Sequence, residues 1–510
     1  MQNRRRRRAT SDDSWRPEIH FRPPRHWMND PNGLFYADGT YHLFYQYSSQ
    51  SPRYETISWG HAISRDLVHW RHLPIAIRGN GSGSAYSGTA LVDRDNRSRL
   101  GGDRPPHLAF FTNCRHCRAP EQRQTIDLAY SLDGGSHWRR SSRNPLIDTG
   151  RRAFDAPFVF RFESGFRMLV GEPLSWAGWR EGLPSRFVIY KSDDLLHWER
   201  VGQIGPFGKR TELWEVPVLV RMRVAGERRL HKWVLIWSTV DRAQDRVRTG
   251  TRYLVGEFDG VAFRPGSGGT RGAPLDWGPD VYAPLVWTDA PAGPFLIAWM
   301  NTWTYARRLP DSGGGALTVP RRLRLERGES GFALTQAPIA ALRTLRGVPT
   351  VYKKIALCNE RRSLEWDYRS QGDALELLAC WRPGDAVRCG LRLAVGKNEW
   401  TEVGLDFKAG MLYLDRRRSG IVSFAPEFPA VYRAAVDVTG GRISLHILVD
   451  RSSVEVFADG GVRVLTARIF PAARSGGVEI FATGGSATLE RLTLWPLASI
   501  WSGVGNQSSG

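Results

Sequence analysis

A short repeated segment constrains the fold of this chain more than any other feature. Its copies lie at residues 64–70, 131–138 and 192–198, and each has Ser at its start, Asp two residues later and His-Trp at its end. Each copy follows a short apolar run that is typical of a β-strand. A strand–turn–aromatic unit that recurs at roughly sixty residues is typical of a β-propeller blade. We expect the Ser and Asp to hold a tight turn and the His-Trp pair to pack into the blade core.

The spacing of the repeat predicts how the 510 residues are divided. A weaker copy lies at residues 253–263, and about 300 residues at this period correspond to five blades. From about Ala341 onward, alternating apolar runs are separated by Gly-rich turns, which is typical of an antiparallel β-sandwich. We therefore predict an all-β chain with an N-terminal five-bladed β-propeller and a C-terminal β-sandwich. Its parts are a disordered basic tail at 1–13, the propeller at 14–335, a linker at 336–348, the sandwich at 349–497 and a tail at 498–510.

The charge and the apolar runs exclude several classes of partner. The net charge is +20, but the basic residues are scattered and no nucleic-acid-binding motif accompanies them, so we expect no nucleic-acid partner. No apolar run is long enough to span a bilayer, so we expect no membrane partner. The five Arg at residues 4–8 are not followed by an apolar stretch, which disfavours a secretory signal. We expect a cytoplasmic protein, or a secreted one if the N-terminus has been trimmed.

The five cysteines predict neither a disulfide framework nor a metal site. Their number is odd and they are sparse. Cys114 and Cys117 resemble half of a zinc site, but no second Cys or His pair completes it. We therefore expect no metal.

Polar residues open the predicted inner strands of successive blades. Because inner strands begin at the central channel of a propeller, such residues are expected to converge there. The residues are Asp30, Ser87, Asp155, Glu215 and Asp280. Carboxyl groups that are forced together raise each other's pKa and form an acid–base pair. Retaining glycoside hydrolysis uses two carboxyl groups about 5–5.5 Å apart and no cofactor. Asp30 and Glu215 are the predicted pair.

Several segments resemble the conserved blocks of glycoside hydrolase family 32, the invertase, inulinase and levanase family. The matching blocks lie at residues 26–33, 59–70, 86–90, 144–147, 214–217, 280–284 and 449–457. The resemblance therefore spans roughly residues 18–497. It implies a retaining hydrolase of β-fructofuranosides, of sucrose or fructan type, with Asp30 as nucleophile and Glu215 as acid/base. It also implies a carbohydrate as the partner; the oligomeric state stays open.

The third block departs from the family pattern. The family has Arg-Asp before a Pro, and that Asp stabilises the transition state. Here Asp155 stands in place of the Arg and Ala156 in place of the Asp, ahead of Pro157. Either the turn shifts so that Asp155 takes over the role, or the role is lost. Val216 also replaces a Cys beside the acid/base, and Tyr54 stands where a Trp usually lines the pocket.

The same resemblance predicts a set of substrate-binding residues. They are Asn29, Gln46, Tyr54, Trp59, Ser87, Asp280 and Trp303. For Gln46 the alternative is a strand amide that faces solvent, and for Trp303 it is a core position.

Two alternative functions stay open: a related furanosidase or fructosyltransferase with altered specificity, and a carbohydrate-binding protein with impaired catalysis. A pure binding protein has no need of both Asp30 and Glu215, which disfavours the second.

Overall fold

The computed structural model describes eleven stretches of the chain. They are residues 14–81, 83–117, 121–174, 185–207, 212–241, 247–266, 269–310, 315–328, 331–366, 373–438 and 440–501. The tail predicted at residues 1–13 lies outside the described residues, as does the C-terminal tail from residue 502 onward. Within the described stretches, none of the helices has the length and apolar character needed to cross a membrane.

Five antiparallel sheets follow one another along the first two thirds of the chain. The first contains β1 (Trp27–Ala37), β2 (Thr40–Ser48), β3 (Ser58–Ser64) and β4 (Arg71–Ile77). The second contains β5 (Ser84–Val92), β6 (His107–Arg115), β7 (Arg123–Ser131) and β8 (Arg139–Arg140). The third contains β9 (Asp155–Phe162), β10 (Gly165–Pro173), β11 (Ser185–Ser192) and β12 (Glu199–Ile204).

The fourth and fifth sheets continue the same order. The fourth contains β13 (Glu212–Arg223), β14 (His231–Asp241), β15 (Arg248–Phe258) and β16 (Phe263–Pro265), with the short β17 (Ala273–Pro274) paired to β15. The fifth contains β18 (Tyr282–Trp287), β19 (Phe295–Trp299), β20 (Arg321–Gly328) and β21 (Gly331–Pro338). A short 3-10 helix, Ala306–Arg308, lies between β19 and β20.

The innermost strands close the five sheets into a ring. Strand β1 contacts β5, β5 contacts β9, β9 contacts β13, β13 contacts β18, and β18 contacts β1 again. The predicted five-bladed propeller is therefore confirmed, and the starts of its inner strands surround one central channel.

The repeated segment forms the turn between the third and fourth strands of a blade. In the first copy Ser64 Oγ accepts a hydrogen bond from the backbone N–H of Leu67 at 2.8 Å, and Asp66 Oδ1 accepts one from the N–H of His69 at 2.8 Å. The predicted role of Ser and Asp is confirmed. The prediction for the His is wrong, because the His69 side chain is 53% exposed and its ring bonds back to the Asp66 carboxylate. Only the Trp is packed inside, as Trp70 is buried.

Two six-stranded antiparallel sheets form the C-terminal sandwich. One has the order β22 (Thr350–Cys358), β33 (Ser486–Pro496), β24 (Leu375–Pro383), β29 (Ile443–Asp450), β30 (Ser453–Ala458), β31 (Arg463–Arg468). The other has the order β23 (Arg361–Ser363), β32 (Gly477–Thr483), β25 (Arg388–Val395), β26 (Thr401–Asp406), β27 (Met411–Asp415), β28 (Val431–Ala435). Alternate aliphatic side chains from both sheets fill one core between them. Two further 3-10 helices are Ala340–Leu345, which separates propeller from sandwich, and Asp459–Gly461.

Buried charged groups join the sandwich to the propeller. Arg321 Nη2 lies 2.5 Å from Glu455 Oε2, and Arg321 Nη1 lies 3.0 Å from Asp276 Oδ2. His20 bridges Asp450 Oδ2 at 2.7 Å and Glu455 Oε1 at 2.8 Å, and all three side chains have no exposed surface. Because isolated buried charges are costly, this network fixes how the two parts meet.

Candidate active site

The inner strands of three neighbouring blades begin in the same irregular way. A polar residue is followed by a residue with left-handed backbone and then by a proline. The three triplets are Asp155-Ala156-Pro157 (φ 56° at Ala156), Glu215-Val216-Pro217 (φ 51° at Val216) and Tyr282-Ala283-Pro284 (φ 49° at Ala283). In each case two residues of the inner strand oppose one residue of the next strand, which is a β-bulge. Asp155, Glu215 and Tyr282 are therefore equivalent positions around the channel.

Bulges at the starts of β1 and β5 bring the remaining site residues to the channel. In β1 the bulge contains Asn29 and Asp30, opposite Gln46. In β5 it contains Ser87 and its neighbour Tyr86. Because a bulge changes the direction of side chains at the end of a sheet, a bulge directs the site residues of all five blades to the channel.

Asp30 is a nearly buried carboxylate with three side-chain hydrogen-bond donors. Asp30 Oδ1 accepts from Asn29 Nδ2 at 3.1 Å, and Oδ2 accepts from Ser87 Oγ at 2.7 Å and from Gln46 Nε2 at 3.2 Å. Burial raises the pKa of Asp30 to about 6, the hydrogen bonds from Ser87 and Asn29 oppose the rise, and the charge of Glu215 adds to it. The residue is 5% exposed, so a ligand in the channel can reach it.

Asn29, Gln46 and Ser87 form a network that holds this carboxylate in place. Gln46 Oε1 accepts from Asn29 Nδ2 at 3.0 Å, and Gln46 Nε2 donates to Ser87 Oγ at 2.5 Å. The indole N–H of Trp27 donates to Asn29 Oδ1 at 2.9 Å. Asn29 is fully buried and Gln46 nearly so, and their amide groups are used within the network. The structure therefore places Gln46 against Asp30 and not toward solvent.

Glu215 lies half-buried across the channel with a tyrosine as its partner. The hydroxyl of Tyr282 donates to Glu215 Oε2. Burial raises the pKa of Tyr282 well above its ordinary value, and the charge of Glu215 raises it further, so the hydroxyl stays protonated. Sequence reasoning missed Tyr282 as a site residue. The signal that identifies it is the shared pattern of a polar residue two positions before a proline.

Asp155 is the third carboxyl group of the same cluster. Burial raises its pKa well above the ordinary range, and the charges of Glu215 and Asp30 raise it further. Because this coupling requires proximity, the bulge turns Asp155 toward the other two carboxyl groups, while Ala156 takes the left-handed position. Three adjacent carboxylates repel one another, so the cluster retains at least one proton at pH values where isolated carboxyl groups are ionised.

Aromatic rings surround the channel entrance. Trp303 is half-buried and stacks on Trp27 with ring centroids 6.1 Å apart, and Tyr54 packs against Trp27 at 6.0 Å and Trp303 at 5.3 Å. Burial raises the pKa of Tyr54 and the charge of Asp30 contributes, so Tyr54 lies near that carboxylate. The exposed guanidinium of Arg307 lies 5.8 Å from both the Tyr54 and the Trp303 ring centroids. We call Trp27, Tyr54 and Trp303 the aromatic rim.

The structure places Trp59, which we predicted to bind substrate, in the core between blades and not at the channel surface. Its side chain is completely buried and packs against Phe44 at 5.5 Å and Phe111 at 6.1 Å between the first two blades. Its indole N–H donates to the backbone carbonyl of Tyr86 at 2.8 Å. Trp59 lies on β3, and its side chain faces the neighbouring blade. It therefore packs against the β5 bulge on the side away from the channel.

The structure places Asp280, which we also predicted to bind substrate, at the junction with the sandwich and not at the channel surface. Its carboxylate is fully buried and pairs with Arg416 Nη1 of the sandwich at 2.7 Å. It also accepts from the backbone N–H of Arg468 at 2.7 Å and from the hydroxyl of Tyr305 at 2.5 Å. Asp280 precedes β18 by two residues, so it faces the sandwich, and Tyr282 takes the channel position on this blade.

The described residues contain no group of three or more His, Cys, Asp or Glu side chains that is arranged to hold a metal ion. All five cysteines are free thiols. The channel offers clustered carboxyl groups beside aromatic faces.

Comparison with known proteins identifies close counterparts over almost the whole chain. The sequence profile of the glycosyl hydrolases family 32 N-terminal domain matches residues 20–338, and that of the family 32 C-terminal domain matches residues 341–496. A levanase of Bacillus subtilis (strain 168) is 35% identical over 500 residues, which cover 96% of this chain and 71% of the levanase. An extracellular exo-inulinase of Aspergillus awamori is 33% identical over 523 residues, covering 96% of each chain. The crystal structure of exo-inulinase from Aspergillus awamori superimposes with a TM-score of 0.85 at 31% identity, covering 97% of this chain and 100% of that one.

Proposed function

The chain belongs to glycoside hydrolase family 32 and is a glycosidase of the retaining β-fructofuranosidase type, and we propose that Asp30 and Glu215 perform its chemistry. The observation that carries the assignment is the buried Asp30 carboxylate, oriented by three donors and electrostatically coupled to Glu215. A nucleophile must be ionised, fixed in direction and accessible to the sugar. Asp30 meets all three conditions when the pH lies above its pKa of about 6.

In the proposed reaction the two carboxyl groups act in sequence. Asp30 attacks the anomeric carbon of a β-fructofuranosyl group while Glu215 gives its proton to the departing glycosidic oxygen. The resulting ester between Asp30 and the sugar is then hydrolysed by water, from which Glu215 removes a proton. Two inversions at the anomeric carbon give overall retention. The Tyr282 hydroxyl holds the Glu215 carboxyl group in a fixed position through both steps.

We assign the transition-state role of the third block to Asp155. Its position, equivalent to that of Glu215 on the next blade, supports the assignment, as does its coupling to both other carboxyl groups. The raised pKa of Asp155 favours its protonated form before the reaction, and this form donates a hydrogen bond to a hydroxyl of the bound sugar. When Asp30 becomes a neutral ester, one source of repulsion disappears and Asp155 ionises more readily.

The aromatic rim and Arg307 are proposed to bind the part of the substrate beyond the fructosyl group. Aromatic faces pack against the C–H faces of sugars, and an exposed guanidinium offers several donors to hydroxyl oxygens. Because the relatives are named levanase and exo-inulinase, fructans and sucrose are the substrates to test first.

The decisive experiment follows product formation and product configuration. Purified protein is incubated with sucrose, inulin and levan, and the anomer released first is read by NMR. We expect fructose in the β configuration. Asp30→Asn is expected to lose activity by at least about 10³ while the fold is preserved, because the change removes the charge but not the volume. Asp38→Asn, at an exposed turn, is the matched control and should keep full activity.

Three outcomes would contradict the proposal. The first is inverted product configuration, and the second is substantial activity in Asp30→Asn. The third is transfer of fructosyl groups to sugars without release of fructose, which would favour the fructosyltransferase alternative.

A further inference from the structure

Two thiols lie side by side next to the active site. Cys114 is near the end of β6 and Cys117 follows in the next turn, with its Sγ 2.7 Å from the backbone carbonyl oxygen of Cys114. Both cysteines line the same cavity, and each thiol shifts the pKa of the other. Cys114 is buried and Cys117 is half-buried, so one thiol is reachable and the other is protected behind it.

This pair is connected to the channel through two tyrosines. Tyr86 lies close enough to both thiols to affect their pKa, and its ring packs on that of Tyr54 in the aromatic rim with centroids 6.1 Å apart. Cys114 also lies close enough to Asp155 for the charge of that carboxylate to raise the pKa of the thiol. A change at the thiols therefore reaches, through the Tyr86 side chain, a ring that we assign to substrate binding.

The two thiols differ in reactivity. The hydrogen bond from Cys114 lowers the pKa of Cys117 to about 6, while the same contact raises the pKa of Cys114. A thiol with a lowered pKa that is partly accessible, beside a second thiol, has the arrangement of an attacking and a resolving cysteine.

A cavity gives small molecules access to this pair. It has a volume of about 470 Å³ and is lined by both cysteines together with polar side chains that include Glu55, Asn80 and Ser84. Cavities of about 300–1,000 Å³ hold small organic molecules. The half-buried Cys117 is the thiol that an incoming reagent meets.

We propose that Cys114 and Cys117 are a modification site that forms a reversible disulfide with low-molecular-weight disulfides, and that this disulfide weakens substrate binding. The Cys117 thiolate attacks one sulfur of the reagent, forming a mixed disulfide and releasing one thiolate. The Cys114 thiol loses its proton and attacks the Cys117 sulfur, forming the protein disulfide and releasing the second thiolate. The two cysteines are oxidised by two electrons, the reagent is reduced to two thiols, and the two protons end on those thiols.

Oxidation removes the Cys117 thiol as a partner of Tyr86. Tyr86 then loses one of the contacts that hold it against Tyr54, and the rim ring is less well positioned. Since the rim binds substrate in the ground state and in the transition state alike, we expect KM to rise by about threefold to tenfold, the effect of one weakened hydrogen bond, with little change in kcat.

The test uses the whole chain with Cys358→Ser, which removes the exposed Cys358 thiol as a competing site of reaction. The protein is equilibrated with buffers of reduced and oxidised glutathione, free thiols are alkylated, and peptides are identified by mass spectrometry. We expect an internal disulfide between Cys114 and Cys117 that is reversed by a dithiol reductant. KM for sucrose or a fructan is measured in parallel at each glutathione ratio and should rise with the oxidised fraction.

Cys117→Ser provides the matched control, because its hydroxyl keeps a small polar group beside Tyr86 but cannot be oxidised to a disulfide. This variant should keep the reduced-state KM at every glutathione ratio. The proposal is overturned if the two cysteines remain alkylated separately under oxidising conditions, or if the disulfide forms and KM stays constant. Only the KM readout rests on the proposed function, since the disulfide is detected by mass even in a protein that hydrolyses no fructofuranoside.

Discussion

Asp155 and Glu215 occupy equivalent positions on neighbouring propeller blades. Each is followed by a left-handed residue and a proline at the start of an inner strand, and the charge of Glu215 raises the pKa of Asp155. The departure in the third sequence block is thus accommodated by the same kind of bulge that presents Glu215, the proposed acid/base. A carboxyl group still reaches the channel, although the aligned position is Ala156.

Asp155→Ala is expected to lower kcat and kcat/KM together by on the order of 10²–10³, because the contact is proposed to be strongest in the transition state. Steady-state kinetics on sucrose and a fructan measures both. Asp155→Asn keeps the volume of the side chain but cannot carry its charge, so its kinetics separate the contribution of the charge from that of the volume. The double change Asp155→Arg with Ala156→Asp should not raise activity above that of the parent protein. A gain in that variant, together with no loss in Asp155→Ala, would show that the third-block role is lost in this chain.

The dependence of kcat/KM on pH should show an acid limb near pH 6. Asp30 must be ionised to act as nucleophile, and its pKa is raised to about 6, so activity falls as the pH decreases through that value. The Ser87 hydrogen bond lowers the pKa of Asp30, so Ser87→Ala should move the limb to higher pH. Ser136→Ala, at an exposed turn, should leave the limb unchanged. A shift to lower pH in Ser87→Ala would contradict the assignment.

Glu215→Ala should affect substrates according to their leaving groups. Hydrolysis of sucrose requires protonation of a poor leaving group and should fall by about 10²–10⁴, whereas the first step on an activated aryl β-fructofuranoside should be nearly unaffected. Single-turnover release of the aryl alcohol measures that first step. Glu215→Gln, which keeps a group opposite Tyr282, should behave in the same way. Equal losses on both substrates would argue against an acid/base role.

Asp280→Asn should reduce stability and leave catalysis nearly intact. Removing the Asp280 charge leaves the buried Arg416 guanidinium without its carboxylate partner, and breaking a buried ion pair typically costs about 3–5 kcal/mol. Thermal unfolding should therefore begin at a lower temperature, while KM measured well below that temperature stays close to that of the parent protein. Asp95→Asn breaks an exposed pair with Arg161 and should leave the temperature of unfolding nearly unchanged. A large rise in KM with unchanged stability would restore Asp280 as a substrate-binding residue.

His20 should make the junction between propeller and sandwich sensitive to alkaline pH. Burial lowers its pKa, but hydrogen bonds and charge from Asp450 and Glu455 outweigh this and raise the pKa to about 9. A raised histidine pKa stabilises the fold fully below the unfolded value of about 6.5, and this stabilisation is lost as the pH rises to 9. The loss should be of the order of 1–3 kcal/mol and is measured by denaturant unfolding at pH 6 and pH 9. His20→Gln should be less stable at pH 6 and should show a smaller difference between the two pH values.

The propeller follows from local chemistry that is visible in the sequence. The repeated Ser and Asp hold each turn with hydrogen bonds between residues two to four positions apart, so the pattern is legible without the tertiary structure. The same holds for Asp30 and Glu215, whose short motifs carry the resemblance to the family.

The tertiary structure decided which of the remaining polar and aromatic residues face the channel. Asp280 and Tyr282 are two positions apart, yet one pairs with Arg416, 136 residues further along the chain, and the other bonds to Glu215. Trp59 is covered by Phe111 from the next blade. Cys114 and Cys117 gain their connection to Tyr54 only because strands β5 and β6 pair beside the rim. Turn residues and catalytic motifs depend on neighbours in sequence, whereas the direction and burial of a side chain at a blade or domain boundary depend on partners that only folding brings together.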